Sequence, residues 1–304
     1  MSATKEGIVR DMSDEEYHEQ HSREEHFYSS SQLKTALEDP QEFKRQYIDG
    51  EKNETPQAMQ DAFDVGTVCH TAILEPHRLK ESYVKWTSTG NRTGKVWEEF
   101  KAQHPGKLIL NKTMLKQANN AIKMCKASKP AMEIINHETG EAEVSFFVTF
   151  RGLRLKVRAD WLGQGYIGDL KTTSGDVRNE QKIKAKIKSL SYDLSAALYV
   201  DVVNYCIEYF ELDVPYIETF YWVFTSKDKK MCQVYDAKPY LQLGRAKYER
   251  AIELIKENEA NNWVFEEKII TLHPNAYEVG DWIKSEEEQS SQEENKTEID
   301  VDLL

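Results

Sequence analysis

Two aspartates and a lysine crowd the stretch LRLKVRADWLGQGYIGDLK, residues 153–171. They are Asp160, Asp169 and Lys171, on two extended runs that flank a Gly163-Gln164-Gly165 break. Side chains two apart in a strand share a face, so Asp169 and Lys171 point one way and Leu170 the other. A hairpin loop of three or four residues sets Asp160 opposite Asp169 or one step from it. Directly opposed side chains lie only about 5 Å apart at Cβ, where like charges are destabilising. Two carboxylates and an amine on one patch therefore suit a divalent-metal site with a lysine beside it. Such a site polarises a phosphoryl oxygen and makes hydroxide available from bound water. The lysine can orient or help deprotonate that water, or neutralise a pentavalent phosphorane. Hard oxygen ligands favour Mg²⁺ or Mn²⁺ over Zn²⁺. The competing reading of Asp-x-Lys is a surface ion pair on a strand edge.

Three strands must carry these groups. Glu143 opens the first, EVSFFVTF; Gly152 marks a turn; LRLKVRADWL and YIGDLK follow. In the second, Leu153, Leu155, Val157 and Ala159 alternate with Arg154, Lys156, Arg158 and Asp160, a half-buried strand pattern. Upstream, a helix reads from about Asp64 or Gly66 to Leu74, ended by Pro76. His70 lies beside its apolar stripe, where a packed core histidine is the alternative to a ligand. Downstream, Lys182, Lys184, Lys186 and Lys188 alternate with apolar residues, either a solvated face or a phosphate-binding one. The next helix, SYDLSAALYVDVVNYCIEYF, puts Tyr192, Ser195 and Tyr199 near one face.

The remaining elements are coarser. A short helix reads around SDEEYHEQ, and YSSSQLKTALED starts another with a serine N-cap. That start offers free N–H groups to an anion, capping being the default. Residues 51–62 are polar and 86–106 irregular, with a short helix in VWEEFKAQ. Residues 111–136 are helical with an interruption at Pro130. YIETFYWVFTSK and KMCQVYDA read as strands, PYLQLGRAKYERAIELIKENEAN as a long amphipathic helix, and residues 263–283 as an extended terminal segment.

The chain has 304 residues, 39% of them hydrophobic, with 15 Tyr, 11 Phe and 6 Trp, enough for a substantial core. Its four cysteines are scattered, which argues against a zinc ribbon or a Cys-ligated cluster. No apolar run approaches a membrane span, and the first residues lack the apolar core of a secretory leader, so a cytoplasmic protein is expected. The net charge of −12 looks unsuited to nucleic acid, yet it is uneven. Residues 285–304 hold eight acidic residues against one lysine, leaving a body of about −5. That tail reads as disordered and solubilising, or as a DNA mimic that docks a basic partner.

The order of these motifs resembles the RecE (exonuclease VIII) branch of the PD-(D/E)xK nuclease superfamily. The carrying residues are Gly66-Thr67-Val68-Cys69-His70, Arg158-Ala159-Asp160, Gly168-Asp169-Leu170-Lys171-Thr172-Thr173, and Tyr192 to Tyr199. EEYHEQ…YSSSQLKTALEDPQEF also resembles the start of phage-encoded members, so the likeness spans roughly residues 14–280. It implies an α/β fold with a restriction-endonuclease-like core, a mixed central sheet flanked by helices. A single domain over 1–284, with an N-terminal helical elaboration and a core at about 64–225, would precede the tail. The resemblance implies that His70, Asp160 and Asp169 bind metal, with Leu170 at the metal site, and that Lys171 is the catalytic lysine. Glu143 matches the acidic residue ahead of the first strand and joins the catalytic set. Arg158, Thr172, Thr173, Tyr192, Ser195 and Tyr199, with Lys182, Lys184 and Lys186, form the implied DNA-binding set.

The implied activity is a Mg²⁺-dependent 5′→3′ exonuclease on linear double-stranded DNA, with Mn²⁺ able to substitute. It would leave 3′ single-stranded tails for a RecT-type annealing partner, form a homo-oligomeric ring, and work in the cytoplasm of a bacterial host. Two alternatives stay open: a non-catalytic scaffold that kept the fold, and an endonuclease. Two departures stand out. Ser195 occupies the place of the family's glutamine and lacks its two-ended amide. Arg158-Ala159-Asp160 replaces Arg-Pro-Asp.

Overall fold

Gly163 and Gly165 turn the chain back so that the two carboxylate-bearing strands meet. A Cβ on Gly163 would lie 2.2 Å from the Tyr166 ring, and Gly165 sits at φ +82°, a region glycine enters without strain. This computed structural model describes all residues except 1–5, 19–25, 52–53, 89–91, 268, 270, 275–278, 281 and 285–304. The acidic tail expected at 285–304 lies outside the described residues.

The N-terminal half runs β1 (Gly7–Val9), α1 (Asp14–His18), α2 (Ser30–Glu38), α3 (Pro40–Phe43), α4 (Gln57–Leu74), α5 (Leu79–Ser82) and β2 (Tyr83–Lys85). It continues through α6 (Lys95–Gln103), β3 (Leu108–Leu110), α7 (Lys112–Lys126) and α8 (Lys129–Ile134). The second half holds β4 (Glu141–Phe150), β5 (Leu153–Leu162), β6 (Tyr166–Thr173), α9 (Glu180–Ser189) and α10 (Tyr192–Tyr209). β7 (Thr219–Ser226), β8 (Cys232–Asp236) and α11 (Leu241–Ala260) complete it. Two compact units result, Met1–Trp263 and Val264–Leu304. In the second, residues 264–267 and 271–274 have no regular structure, and Ile269 and Leu272 are exposed.

Six strands form one sheet in the order β1-β4-β5-β6-β7-β8. Among the described strands of this sheet, only β6 and β7 pair in parallel, joined by the α9–α10 crossover, so the sheet is mixed. β2 and β3 make a separate parallel pair. β4 and β5 pair along nearly their whole length, whereas β5 and β6 pair only at Trp161↔Gly168 and Leu162↔Ile167. Beyond that point they splay. Tyr28 takes up part of the freed β5 edge, donating to the Arg154 carbonyl (2.8 Å) and accepting from the Lys156 amide (2.9 Å).

Helices cover both faces. Leu170, Val223 and Trp161 pack with Ile73 and Leu74 of α4, Cys125 of α7 and Ala131 of α8. Phe220 and Phe224 on the other face of β7 meet Tyr199 and Tyr192 of α10. Burying each large apolar side chain contributes about 1.5–3 kcal/mol. α11 then clamps α10. Gly244 lies so close that a Cβ would fall 2.0 Å from the Asp193 carbonyl oxygen, and Lys247 pairs with buried Asp193 at 2.7 Å.

Two expectations need correction, and one left open, the form of the lysine run, is narrowed. The helix holding His70 starts at Gln57, because Gln57–Asp61 and Gln60–Asp64 bonds and the Asp61–Arg92 pair support two polar turns. The lysine run is helical, so its cations spread around α9 while Ile183 and Ile187 face inward. The cationic face of β5 is not solvated. Lys156 and Arg158 are 6% and 7% exposed, lying against the Tyr17 ring at 4.8 and 4.1 Å. Long cationic stems pack well on aromatic faces, which a polar alternation alone does not reveal.

Candidate active site

The splay between β5 and β6 frees the amide of Leu170 from strand pairing, and Asp160 takes it. Asp160 Oδ2 accepts this N–H at 2.8 Å and lies 3.6 Å from Nδ1 of His70, which α4 carries in. The regular β4–β5 register puts Glu143 across from Asp160, between the Ala142↔Trp161 and Val144↔Ala159 pairs. Glu143 holds φ +52° inside a strand, a conformation costly for a residue with a side chain. One ligand atom each from His70, Glu143 and Asp160 can be chosen so that all lie within 4.8 Å of one another.

Burial, then repulsion from Asp160, pushes the Glu143 carboxyl up to about 9, against the pull of Arg158. Asp169 is buried and also raised, first by burial, although Lys171 pulls it down. Its Oδ1 accepts from Lys171 Nζ at 2.7 Å; its Oδ2 is buried and has no hydrogen-bond partner among the described residues. An orphaned carboxylate oxygen costs about 1–3 kcal/mol or more, and crowded carboxylates are a standing repulsion. Both features fit a divalent cation, for which the carboxylates and the imidazole are ordinary ligands. The converging triplet contains Glu143 in the place expected for Asp169. Leu170 reaches the site only through its main chain, since its side chain lies in the core.

Burial works against the Lys171 ammonium, but Asp169 and Asp160 outweigh it and hold it well above the usual lysine range. Its Nζ lies 5.1 Å from the centre of the Tyr192 ring. Tyr192 and Tyr199 line the same cleft of about 940 Å³ as His70, Glu143, Asp160 and Lys171. Thr172 also lines it. Ser195 is half-buried on α10 between the two tyrosines.

Other expected DNA contacts are placed differently. The Arg158 guanidinium is committed internally, to Ser145 and Asp14 (both 2.8 Å) and the carbonyls of Met12 and Ser13. It therefore ties the N-terminal segment over the site. Thr173 is buried and accepts from Lys186. Lys184 pairs with Glu180, and Lys182 is exposed.

The structure adds residues that the sequence reading missed. Tyr17, Glu75, Arg78 and Lys227 line the cleft. Lys34 of α2 reaches the Tyr192 ring at 5.4 Å. The carboxylates whose charge it feels, Asp169 and Asp193, are paired with Lys171 and Lys247. Burial, then Lys171, lowers Lys34 to about 8. No local motif marks it, because its position depends on α2 docking against α10.

A family model for PDDEXK-like domains of unknown function, DUF3799, matches residues 29–264. The chain belongs to that family. DUF3799 thus spans β4 to β8, α11 and all the cleft residues from Ala62 onward, and the α/β core with its mixed, helix-flanked sheet is of the PDDEXK type. The finer RecE-like placement is a separate matter. No curated protein matches the chain. Among solved structures, the crystal structure of the "Putative exonuclease" from Eubacterium rectale is similar at 15% identity and a TM-score of 0.58. The match covers 88% of this chain and 97% of that one. At such identity the likeness concerns the fold. SSO0001 aligns over 73% of this chain and 84% of its own at 14% identity, with a TM-score of 0.25, too low to bear on the fold. No described helix is long and apolar enough to cross a membrane.

Proposed function

We propose that this DUF3799 chain is a Mg²⁺-dependent nuclease of the RecE-like type, acting 5′→3′ on linear double-stranded DNA. The observation that carries the nuclease reading is the convergence of His70, Glu143 and Asp160 in one cleft with Lys171, which the buried Asp169 pairs from behind. His70, Glu143 and Asp160 would hold the cation, with Asp169 adjoining through its unpartnered oxygen. When bound, the cation supplies a Lewis acid for the phosphoryl oxygen and acidifies a water.

The chain's own groups do the rest. Asp169 keeps Lys171 an ammonium, so Lys171 donates a hydrogen bond to the attacking water or a non-bridging oxygen. Tyr192 backs that ammonium with its ring. The Leu170 N–H fixes the Asp160 carboxylate, so little reorganisation accompanies reaction. Water oxygen adds to phosphorus as it loses a proton to solvent, one phosphorus–oxygen ester bond breaks, and the departing oxygen takes up a proton to leave as a hydroxyl beside the new phosphomonoester.

In this reading the product is a 3′ single-stranded tail, handed to a RecT-type annealing protein. A homo-oligomeric ring around DNA and action in a bacterial cytoplasm complete the proposal. Digestion of linear duplexes labelled at the 5′ or 3′ end, with Mg²⁺, tests it. Early release of the 5′ label by wild type and none by Asp169→Ala is expected. Equal behaviour of the two proteins rejects the nuclease; cleavage of closed circles reassigns it as an endonuclease.

A further inference from the structure

A second concavity, this one basic, lies beside the cleft, and nothing in the proposed chemistry uses it. It is a groove of about 990 Å³ between the chain after β2 and the first half of α7. Its charged lining residues are Lys85, Arg92, Lys112 and Lys116, with no carboxylate, in a chain of net charge −12. Arg92 is paired with Asp61 and held in place. Lys85, Lys112 and Lys116 are exposed, and among the described residues none forms an ion pair. Three uncompensated cations along one groove in an acidic protein repel each other and attract a polyanion.

The floor is apolar, made by Leu115 and by Trp86, which Trp97 and Phe100 hold edge-on. Apolar floor with cations at the rim suits a single strand, whose bases can turn inward while its phosphates face the lysines. A duplex offers only its charged exterior to such a surface. Lys112 and Lys116 stand one helical turn apart, aligned to meet successive phosphates.

The groove and the cleft have no lining residue in common, but neighbouring residues line the two. Leu108, at the start of β3, lines the cleft, and Asn111, just after its end, lines the groove. Asn119 lines the groove, and neighbouring Asn120 holds the carbonyls of Ser226 and Lys229 at 3.0 and 2.7 Å. Lys227, in the turn so anchored, lines the cleft. We propose that this groove is a single-stranded DNA site that takes the uncut strand as the duplex end opens at the cleft. The assignment of the strand rests on the nuclease reading; the binding does not.

The test uses the full chain in EDTA, so that no cleavage is needed. Fluorescence anisotropy follows a fluorescein-labelled oligothymidylate of about twenty nucleotides, against a blunt hairpin duplex. Wild type binds the single strand, and Lys112→Ala/Lys116→Ala weakens it about tenfold at moderate salt while duplex binding changes less. The slope of log K against log salt falls by about 1.4 for the two lost contacts. Unchanged single-strand affinity, or an equal loss for both DNAs, overturns the proposal. If the double variant melts early, the single Lys116→Gln variant and photocrosslinking of iodouridine-containing oligomers decide. Crosslinks away from Lys85–Ser88, Arg92 and Asn111–Asn119 also overturn it. Absence of DNA cleavage by wild type in Mg²⁺ and Mn²⁺ rejects the nuclease reading and leaves this binding result standing.

Discussion

Asp160 and Leu170 are joined by a side-chain-to-backbone hydrogen bond of 2.8 Å across the point where their strands part. A carboxylate here replaces a strand partner. The bond both satisfies an amide that the ladder abandons and aims the carboxylate at His70. Asp160→Asn keeps an acceptor for the amide, so the fold should survive with stability changed by about 1 kcal/mol or less. Mn²⁺ should raise the Tm of wild type and leave the variant's Tm unmoved. An equal shift in both removes Asp160 from the metal site.

Glu143 predicts a pH effect on the metal-free protein. Its folded value of about 9 exceeds the ordinary 4.5, so the folded state holds a proton that the unfolded state has released in that window. Its contribution to stability is therefore full below 4.5 and is lost as pH rises through 9. Asp169 is raised as well and acts in the same direction. Urea unfolding across this range should show stability falling in wild type and a flatter profile in Glu143→Gln. Identical slopes would contradict the burial of Glu143.

Lys34 carries the opposite sign. Its folded value of about 8 lies below the ordinary 10.5, so stability rises as pH climbs between the two and a penalty remains below 8. Lys34→Met should stabilise the protein at neutral pH by about 1 kcal/mol, and this gain should vanish in alkali. The same variant should bind duplex DNA more weakly, because a cation beside Lys171 is lost. A variant less stable than wild type at every pH would show that Lys34 has a partner that stabilises it.

Asp193 and Lys247 hold α11 to α10 beneath the tyrosines of the cleft. Lys247→Ala should destabilise by about 3–5 kcal/mol, because Asp193 stays buried without its counter-charge. The double variant Asp193→Asn/Lys247→Ala should recover part of the loss. Thermal melts of the three proteins give the coupling, and simple additivity would argue against the pair.

Much of this arrangement was legible in the residues. The alternation in 153–162 and the glycine turn placed Asp160 and Asp169 on neighbouring strands, because period-2 patterning and turn chemistry are local. The break at Pro130 fell close to the α7–α8 junction for the same reason. Lys34 and Tyr17 were invisible because they arrive through docking of the N-terminal segment, which no local period encodes. Arg158 misled for a related reason. A cation two residues from a carboxylate looks like a substrate contact until Met12, Ser13 and Asp14 fold over it. Glu143 enters the site only through what the resemblance implies, and its left-handed backbone is a tertiary constraint that no local pattern announces.

The Tyr28 hydroxyl donates to Glu259 at 2.7 Å, and Phe43 stacks on Trp263 at 5.0 Å. These contacts join residues more than two hundred positions apart. On the ribosome, the segment carrying Tyr17 and Lys34 emerges early and must wait for α11 before it can settle. High contact order of this kind slows folding. A chain truncated before α11 is therefore expected to leave the N-terminal segment undocked and the cleft incomplete.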